Sequence, residues 1–247
     1  MSTINWLKFR NFDSRDHNLF VRKKNVFDAA ESDLTFVSVP GRDGDVIMKN
    51  GRHKNIPIVY ELSFFSTQFK EISENENFFY SLEDVKRTLI EDGNYYNLYD
   101  SYVPGYYRKA CLIKGLSVKQ PHWSVGEFSL NFNCKPFRYQ INGDKMQTIT
   151  VQNTQIYNPE AYESLPYIKI TGSGDLSLVI NGSYYDFTNV SGYVECDSEM
   201  MNVYRGTVNK NSDFLTSGFP KLSSGNNFIS WTGTVTQIEI KPRWRTK

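Results

Sequence analysis

The sequence predicts a mainly β fold in two units, and three observations lead there. Strand-like alternation recurs along the chain, most cleanly in EFSLNFNCKPF (127–137), where Phe128, Leu130, Phe132 and Cys134 share one parity. In the second half PYIKITG, DLSLVING, GYVECD and NNFISWTG follow one another at about ten-residue spacing with Gly and Asn between them, the pattern of a β-sandwich or jelly roll. The end of the chain, TVTQIEIKPRWRTK (234–247), keeps period two almost to its last residue, with Ile238, Ile240, Pro242 and Trp244 on one side and Gln237, Glu239, Lys241 and Arg243 on the other. Aromatic residues make up 15% of the chain, with 16 Tyr and 17 Phe, types that suit pleated surfaces and interfaces.

Taken in order, LTFVSV (34–39) reads as a strand running into the turn PGRDG (40–44), where Pro40 presets φ and the glycines take positive φ, and DVIM follows as its partner. KNIPIVYELSFF (54–65) is a long β-rich stretch whose Pro57 predicts an edge or a strand beginning. One segment predicts a helix, SLEDVKRTLIEDG (81–93): Ser81 caps it, Asp84 takes the capping-box position, Leu82, Val85 and Leu89 form the apolar stripe, and Gly93 stops it. Strands resume at RKACLIKGLSVKQ and at the alternating segment 127–137. Polar residues then accumulate from Gln140 onward, which predicts a boundary over 140–156 and the start of a second unit. Gly172-Ser173-Gly174 lacks the third glycine and following helix of a dinucleotide fingerprint and reads as a tight turn between strands.

With 247 residues the chain can bury a large core without staples. The charge balance of 28 Lys+Arg against 27 Asp+Glu argues against an electrostatic nucleic-acid binder. Cys111, Cys134 and Cys196 form no C-x-x-C, and Cys134 reads as a small buried hydrophobe. The N-terminal stretch has no apolar h-region and no run reaches membrane-spanning length, so synthesis in a reducing cytoplasm is expected and the Asn181 and Asn189 sequons carry no glycan. His17, His53 and His122 lack metal-ligand spacing. Asp197 and Glu199 could pair as acid and base, but acidic residues alternating at a strand end read as a solvated turn, and RWR (243–245) reads as a strand edge with arginines reaching to water. No catalytic, cofactor-binding or metal-ligating set emerges, so the expectation is a binding or structural protein rather than an enzyme, with no cofactor.

Several segments together resemble a known family: VPGRDGDV (39–46), FNCKPFRY (132–139), YNPEAYESLPYIKITGSGDLSLVING (157–182), CDSE (196–199), GFPKLSSGNNFISWTG (218–233) and PRW (242–244). In this order and spacing they are similar to the distal tail (Dit) proteins of siphophages, the long-tailed, non-contractile phages, over nearly the whole chain. The resemblance implies a homo-hexameric ring, a virion hub assembled in the bacterial host and joining the tail tube to the tail tip or baseplate, with DNA passing through its centre without specific binding. Its partners would be the tail tube protein, the tail-associated tip protein, and receptor-binding or baseplate proteins.

It also implies a division of labour. Residues 1–139 would form the ring-forming domain, β-rich with one helix and an extended hairpin; 140–156 the linker and start of the second unit; and 157–247 a galectin-like β-sandwich, whose last strand could pack back on the first domain. Pro40, Gly41, Arg42, Asp43 and Gly44 fall at the turn of the hairpin that reaches a neighbouring subunit, and Pro242 and Trp244 at the anchor that closes the chain. The alternative function is a carbohydrate-binding adhesin. Against it, residues 140–247 contain no histidine and Trp231 is followed by Thr232 and Gly233, unlike the H-x-N-P-R and W-G-x-E sugar motifs of galectins.

Overall fold

The computed structural model describes residues 5–17, 19–65, 82–89, 92–113, 118–122 and 125–247, and of 64–65 and 120–122 the backbone alone. The fold is mainly β, and the chain separates into two compact units, Met1–Arg138 with Lys247, and Tyr139–Thr246.

The first unit holds β1 (Leu7–Phe9), β2 (Phe12–Asp13), β3 (Leu19–Lys24), β4 (Ser32–Val37), β5 (Val46–His53), β6 (Ile56–Phe65), β7 (Tyr96–Asp100), β8 (Tyr106–Leu112) and β9 (Val118–His122), with β10 (Val125–Gln140) leading out of it. Its main sheet runs β2-β1-β7-β8-β10-β6-β3, with β9 paired to β10. The alternation legible in β10 is real: Phe128, Leu130, Phe132 and Cys134 are all buried, in a core shared with Phe9, Ile58, Tyr60 and Leu62. Each such side chain taken from water contributes about 1.5–3 kcal/mol, which is why the period-two pattern dictates the strand. Pro57 lies at the start of β6, opposite Asn133. The Val59 N–H donates to Asn25 Oδ1 at 2.7 Å.

Residues 82–88 form a helix, α1, with Val85 and Leu89 buried in the first core and Leu82 packed against it. Leu89 lies just past its last helical residue, with its N–H donated to the Val85 carbonyl at 3.1 Å, and Gly93 takes φ +74°. Ser81 lies outside the described residues, and Asp84 Oδ2 is 2.9 Å from His17 Nδ1.

The second unit contains β11 (Gln147–Ile149), β12 (Thr154–Asn158), β13 (Tyr167–Ile180), β14 (Ser183–Asp197), β15 (Asn202–Arg205), β16 (Val208–Asn209), β17 (Gly225–Lys241) and β18 (Arg245–Thr246). Its sheet runs β11-β17-β13-β14-β15-β16, with β12 also on β17. Ile149 of β11 and Ile156 of β12 enter its core, so the polar stretch from Gln140 is built into the second unit. β13 and β14 meet at Asn181-Gly182, both at positive φ (52° and 83°), the two-residue loop whose twist matches antiparallel strands.

Here the structure corrects the sequence. PYIKITG and DLSLVING are one strand, β13, and NNFISWTG continues into the closing strand as β17. Gly172-Ser173-Gly174 is therefore a bend inside a strand rather than a turn between strands. The β13–β14 register shifts between Gly174 and Leu176, and Gly174 has φ +77°. A Cβ on Gly172 would collide with the Thr234 carbonyl, and one on Gly233 would lie 2.6 Å from the Asp175 carbonyl. Glycine at these positions lets two long bent strands approach.

The cysteines follow burial. Cys134 and Cys196 are fully enclosed, and burial pushes each thiol up to about 12. Cys111 is half-buried. In native protein at pH 8, a disulfide-exchange reagent should therefore label Cys111 alone, with Cys134 and Cys196 reacting only on unfolding. Fast native labelling at more than one site, read by mass spectrometry, would contradict this burial.

Candidate functional site: an apolar hairpin and a carboxyl-terminal anchor

β4 and β5 pair with each other and with no other described strand. Their register places Phe36 opposite Ile47 and Leu34 opposite Lys49, which gives one face; Val37 opposite Val46 and Thr35 opposite Met48 give the other. Apolar side chains therefore line both faces, and they are in water: Phe36 is 60% exposed, Ile47 55% and Met48 56%. A two-stranded ribbon solvated on both sides is marginal by itself, and strands apolar on both sides belong to sheets covered on both sides. The ribbon is held by polar pairs instead. Arg52 Nε donates to Asp33 Oδ2 at 2.6 Å, Asn50 Nδ2 donates to Thr35 Oγ1 at 3.1 Å, and the Lys54 N–H donates to the Glu31 carbonyl at 2.9 Å. The hydrogen bond from Arg52 is the main reason the Asp33 carboxyl titrates below its usual range.

Pro40, Gly41, Arg42, Asp43 and Gly44 occupy the tip of this hairpin, all exposed, with the Arg42 N–H closing on the Val39 carbonyl at 3.2 Å. Gly41 and Gly44 take φ +79° and +78°, so the glycines there shape the turn. The exposed apolar surface beside the tip consists of Phe36, Ile47 and Met48, which sequence reasoning did not single out. The signal was apolar residues on both parities, Phe36 and Val37 before the turn and Val46, Ile47 and Met48 after it.

At the other end of the chain Pro242 and Trp244 are buried, Trp244 in the second core with Ile168, Ile170, Ile238 and Ile240. A Cβ on Gly143 would meet the Trp244 nitrogen at 2.5 Å, so only glycine admits the chain there. The Gln140 N–H donates to the Trp244 carbonyl at 2.9 Å and the Arg243 N–H to the Gly143 carbonyl at 2.8 Å. Between the two buried residues Arg243 adopts φ +54°, and its guanidinium forks onto Asp197 at 2.7 and 2.8 Å. Asp197 also accepts the N–H groups of Glu199 and Met200 at 3.1 and 3.0 Å, and Glu199 accepts the Tyr139 hydroxyl at 3.2 Å.

The Asp197/Glu199 pair is thus no solvated turn, since Asp197 is 3% exposed. Burial by itself would raise its pKa, but the hydrogen bonds and charge of Arg243 outweigh that and hold the carboxyl below its ordinary range. The arginines of RWR are half-buried and bonded to the protein: Arg243 to Asp197, and Arg245 Nε to the Glu163 carbonyl at 2.7 Å. Among the described residues no cluster of His, Cys, Asp and Glu is suited to a metal ion, and no helix is long and apolar enough to cross a membrane. The His122 side chain lies outside the described residues.

No protein-family model and no curated protein matches the chain. Among solved structures it superposes on the SPP1 Dit (gp 19.1) protein, described as a paradigm of the hub adsorption apparatus in phages infecting Gram-positive bacteria, with a TM-score of 0.74 and 13% identity, covering 99% of this chain and 100% of that one. The chain has a Dit fold. At 13% identity the likeness is one of architecture, and it extends over nearly the whole length of both chains.

Proposed function

We propose that this chain is the subunit of a phage tail hub: a structural virion protein whose six copies close into a ring between tail tube and tail tip, leaving a central passage for DNA. The hairpin β4–β5 carries the reading. A ring needs two complementary patches per subunit in a head-to-tail interface that closes by rotation. A ribbon apolar on both faces is half of such an interface, and the groove of a neighbouring copy is its complement. The full-length match to a Dit fold supports the same role, with tube, tip and receptor-binding proteins as partners. In this reading the second unit, galectin-like in its expected role, faces those outer partners.

Purified protein at micromolar concentration should show, in mass photometry and negative-stain images, closed six-fold rings or pairs of rings. Monomer alone over a wide range of concentration and salt would overturn the proposal.

A further inference from the structure

Asn-Gly pairs are chemically labile, because glycine leaves its own nitrogen unshielded and free to approach the asparagine carboxamide. This chain has three of them, Asn50-Gly51, Asn142-Gly143 and Asn181-Gly182. The fold treats them differently. At Asn181 both ends of the carboxamide are held: Nδ2 donates to Oδ1 of the buried Asn227 at 2.9 Å, and Oδ1 accepts the Phe228 N–H at 2.9 Å. At Asn142 the backbone is fixed. Gly143 is buried against Trp244, its carbonyl accepts the Arg243 N–H at 2.8 Å, and the Asn142 carbonyl accepts the Lys145 N–H at 3.2 Å.

Asn50-Gly51 lies in β5 of the hairpin, where the register slips. Leu34 faces Lys49 and Ser32 faces His53, so Asn50, Gly51 and Arg52 stand opposite Asp33 alone and the ladder is interrupted. Gly51 takes φ +71°, with nothing within 4 Å of the place a Cβ would occupy. Asn50 is exposed, and its Nδ2 donates to the Thr35 hydroxyl, itself exposed, at 3.1 Å. A ribbon solvated on both faces opens locally far more readily than the packed sheet and core that hold the other two pairs.

We propose that Asn50 is a spontaneous deamidation site of the uncovered hairpin. The Gly51 nitrogen gives its proton to solvent base and bonds to Asn50 Cγ; the bond from Cγ to Nδ2 breaks, and the nitrogen takes up a proton and leaves as ammonia. Water then adds to one of the two carbonyl carbons of the resulting succinimide and opens it to aspartate or isoaspartate. One water is consumed, one ammonia is released, and nothing is oxidised or reduced. The product carries a carboxylate where Asn50 now donates to Thr35. It faces Asp33, whose carboxyl is held below its ordinary range first by Arg52 and next by Asn50. Arg52 is then left between two carboxylates, and the hairpin loses a tie between its strands. Isoaspartate also lengthens the backbone and pushes Arg52 and His53 out of register.

The test is peptide mapping by mass spectrometry after days in mildly alkaline buffer. It uses the full chain kept monomeric, by dilution or by Phe36→Asp, so that the outcome does not depend on ring assembly. Asn50 should convert at least roughly tenfold faster than Asn142 or Asn181, the ratio that a modest difference in local opening produces. The rate should rise with pH, as removal of the Gly51 proton requires. In urea the three pairs should converge, because only the chemistry common to Asn-Gly then remains. Asn50 intact when either other pair has converted, equal rates in the folded chain, or an unchanged ratio in urea would overturn the proposal.

Discussion

Phe36→Asp and Met48→Asp, each altering one face of the hairpin, should each abolish ring assembly while leaving the subunit folded. Both side chains are more than half exposed in the single chain, so replacing them should change its stability by no more than about 0.5 kcal/mol. In an assembled ring each would place a charge in a desolvated contact. Hot-spot losses of that kind run to about 2 kcal/mol or more, roughly 30-fold per interface, and a closed ring suffers the loss at every interface. Size-exclusion chromatography with light scattering should show monomer for both variants at concentrations where the unaltered protein is expected to form a ring, with thermal unfolding of the monomer unchanged. Loss of assembly in Phe36→Asp but not in Met48→Asp would mean that the neighbour covers one face of the ribbon. Rings surviving both substitutions would move the interface elsewhere.

Arg243→Gln should be the most damaging single substitution in the second unit. It removes a forked ion pair from an aspartate that is 3% exposed and leaves that carboxylate uncompensated, for which about 3–5 kcal/mol is the usual loss. For a unit the size of Tyr139–Thr246 that corresponds to a fall in Tm of about 15 °C in its transition. The double variant Arg243→Met with Asp197→Leu should recover much of the loss, because no isolated charge then remains buried. The pH dependence has a definite sign. The Asp197 carboxyl is depressed below its ordinary value of 3.8, so its stabilisation is fully present above that pH and disappears as the pH falls through the lower, folded value. An acid series should show this loss in the unaltered protein and a flatter profile in Arg243→Gln. Equal acid sensitivity of the two would show that Asp197 does not draw its stability from Arg243.

Much of the fold was legible in the chain because it rests on local rules. The period-two run in β10, the apolar stripe of Leu82 and Val85 on α1, and the Asn181-Gly182 hairpin turn each state their structure within a few residues. Burial of Trp244 was foreshadowed by its parity with Ile238 and Ile240. The glycines of the second unit were less transparent. Positive φ is what glycine permits in a turn and also what it permits in a bent strand, and the sequence does not say which. Long-range pairing decided it, since β13 continues through Gly174 because β14 and β17 flank it on both sides.

By itself, then, the sequence determined a β protein in two units, the hairpin with its Gly-rich tip, and a chain end that packs inward, because strand periodicity, turn chemistry and parity are local. The tertiary structure decided which strands merge. It joined Asp197 to Arg243 across 46 residues. It also left Phe36, Ile47 and Met48 in water. The physical reason is common to all of these. A buried charge is tolerable only where a partner arrives from elsewhere in the chain, and an apolar side chain is a surface feature only where nothing in its own chain covers it; neither condition is written in neighbouring residues.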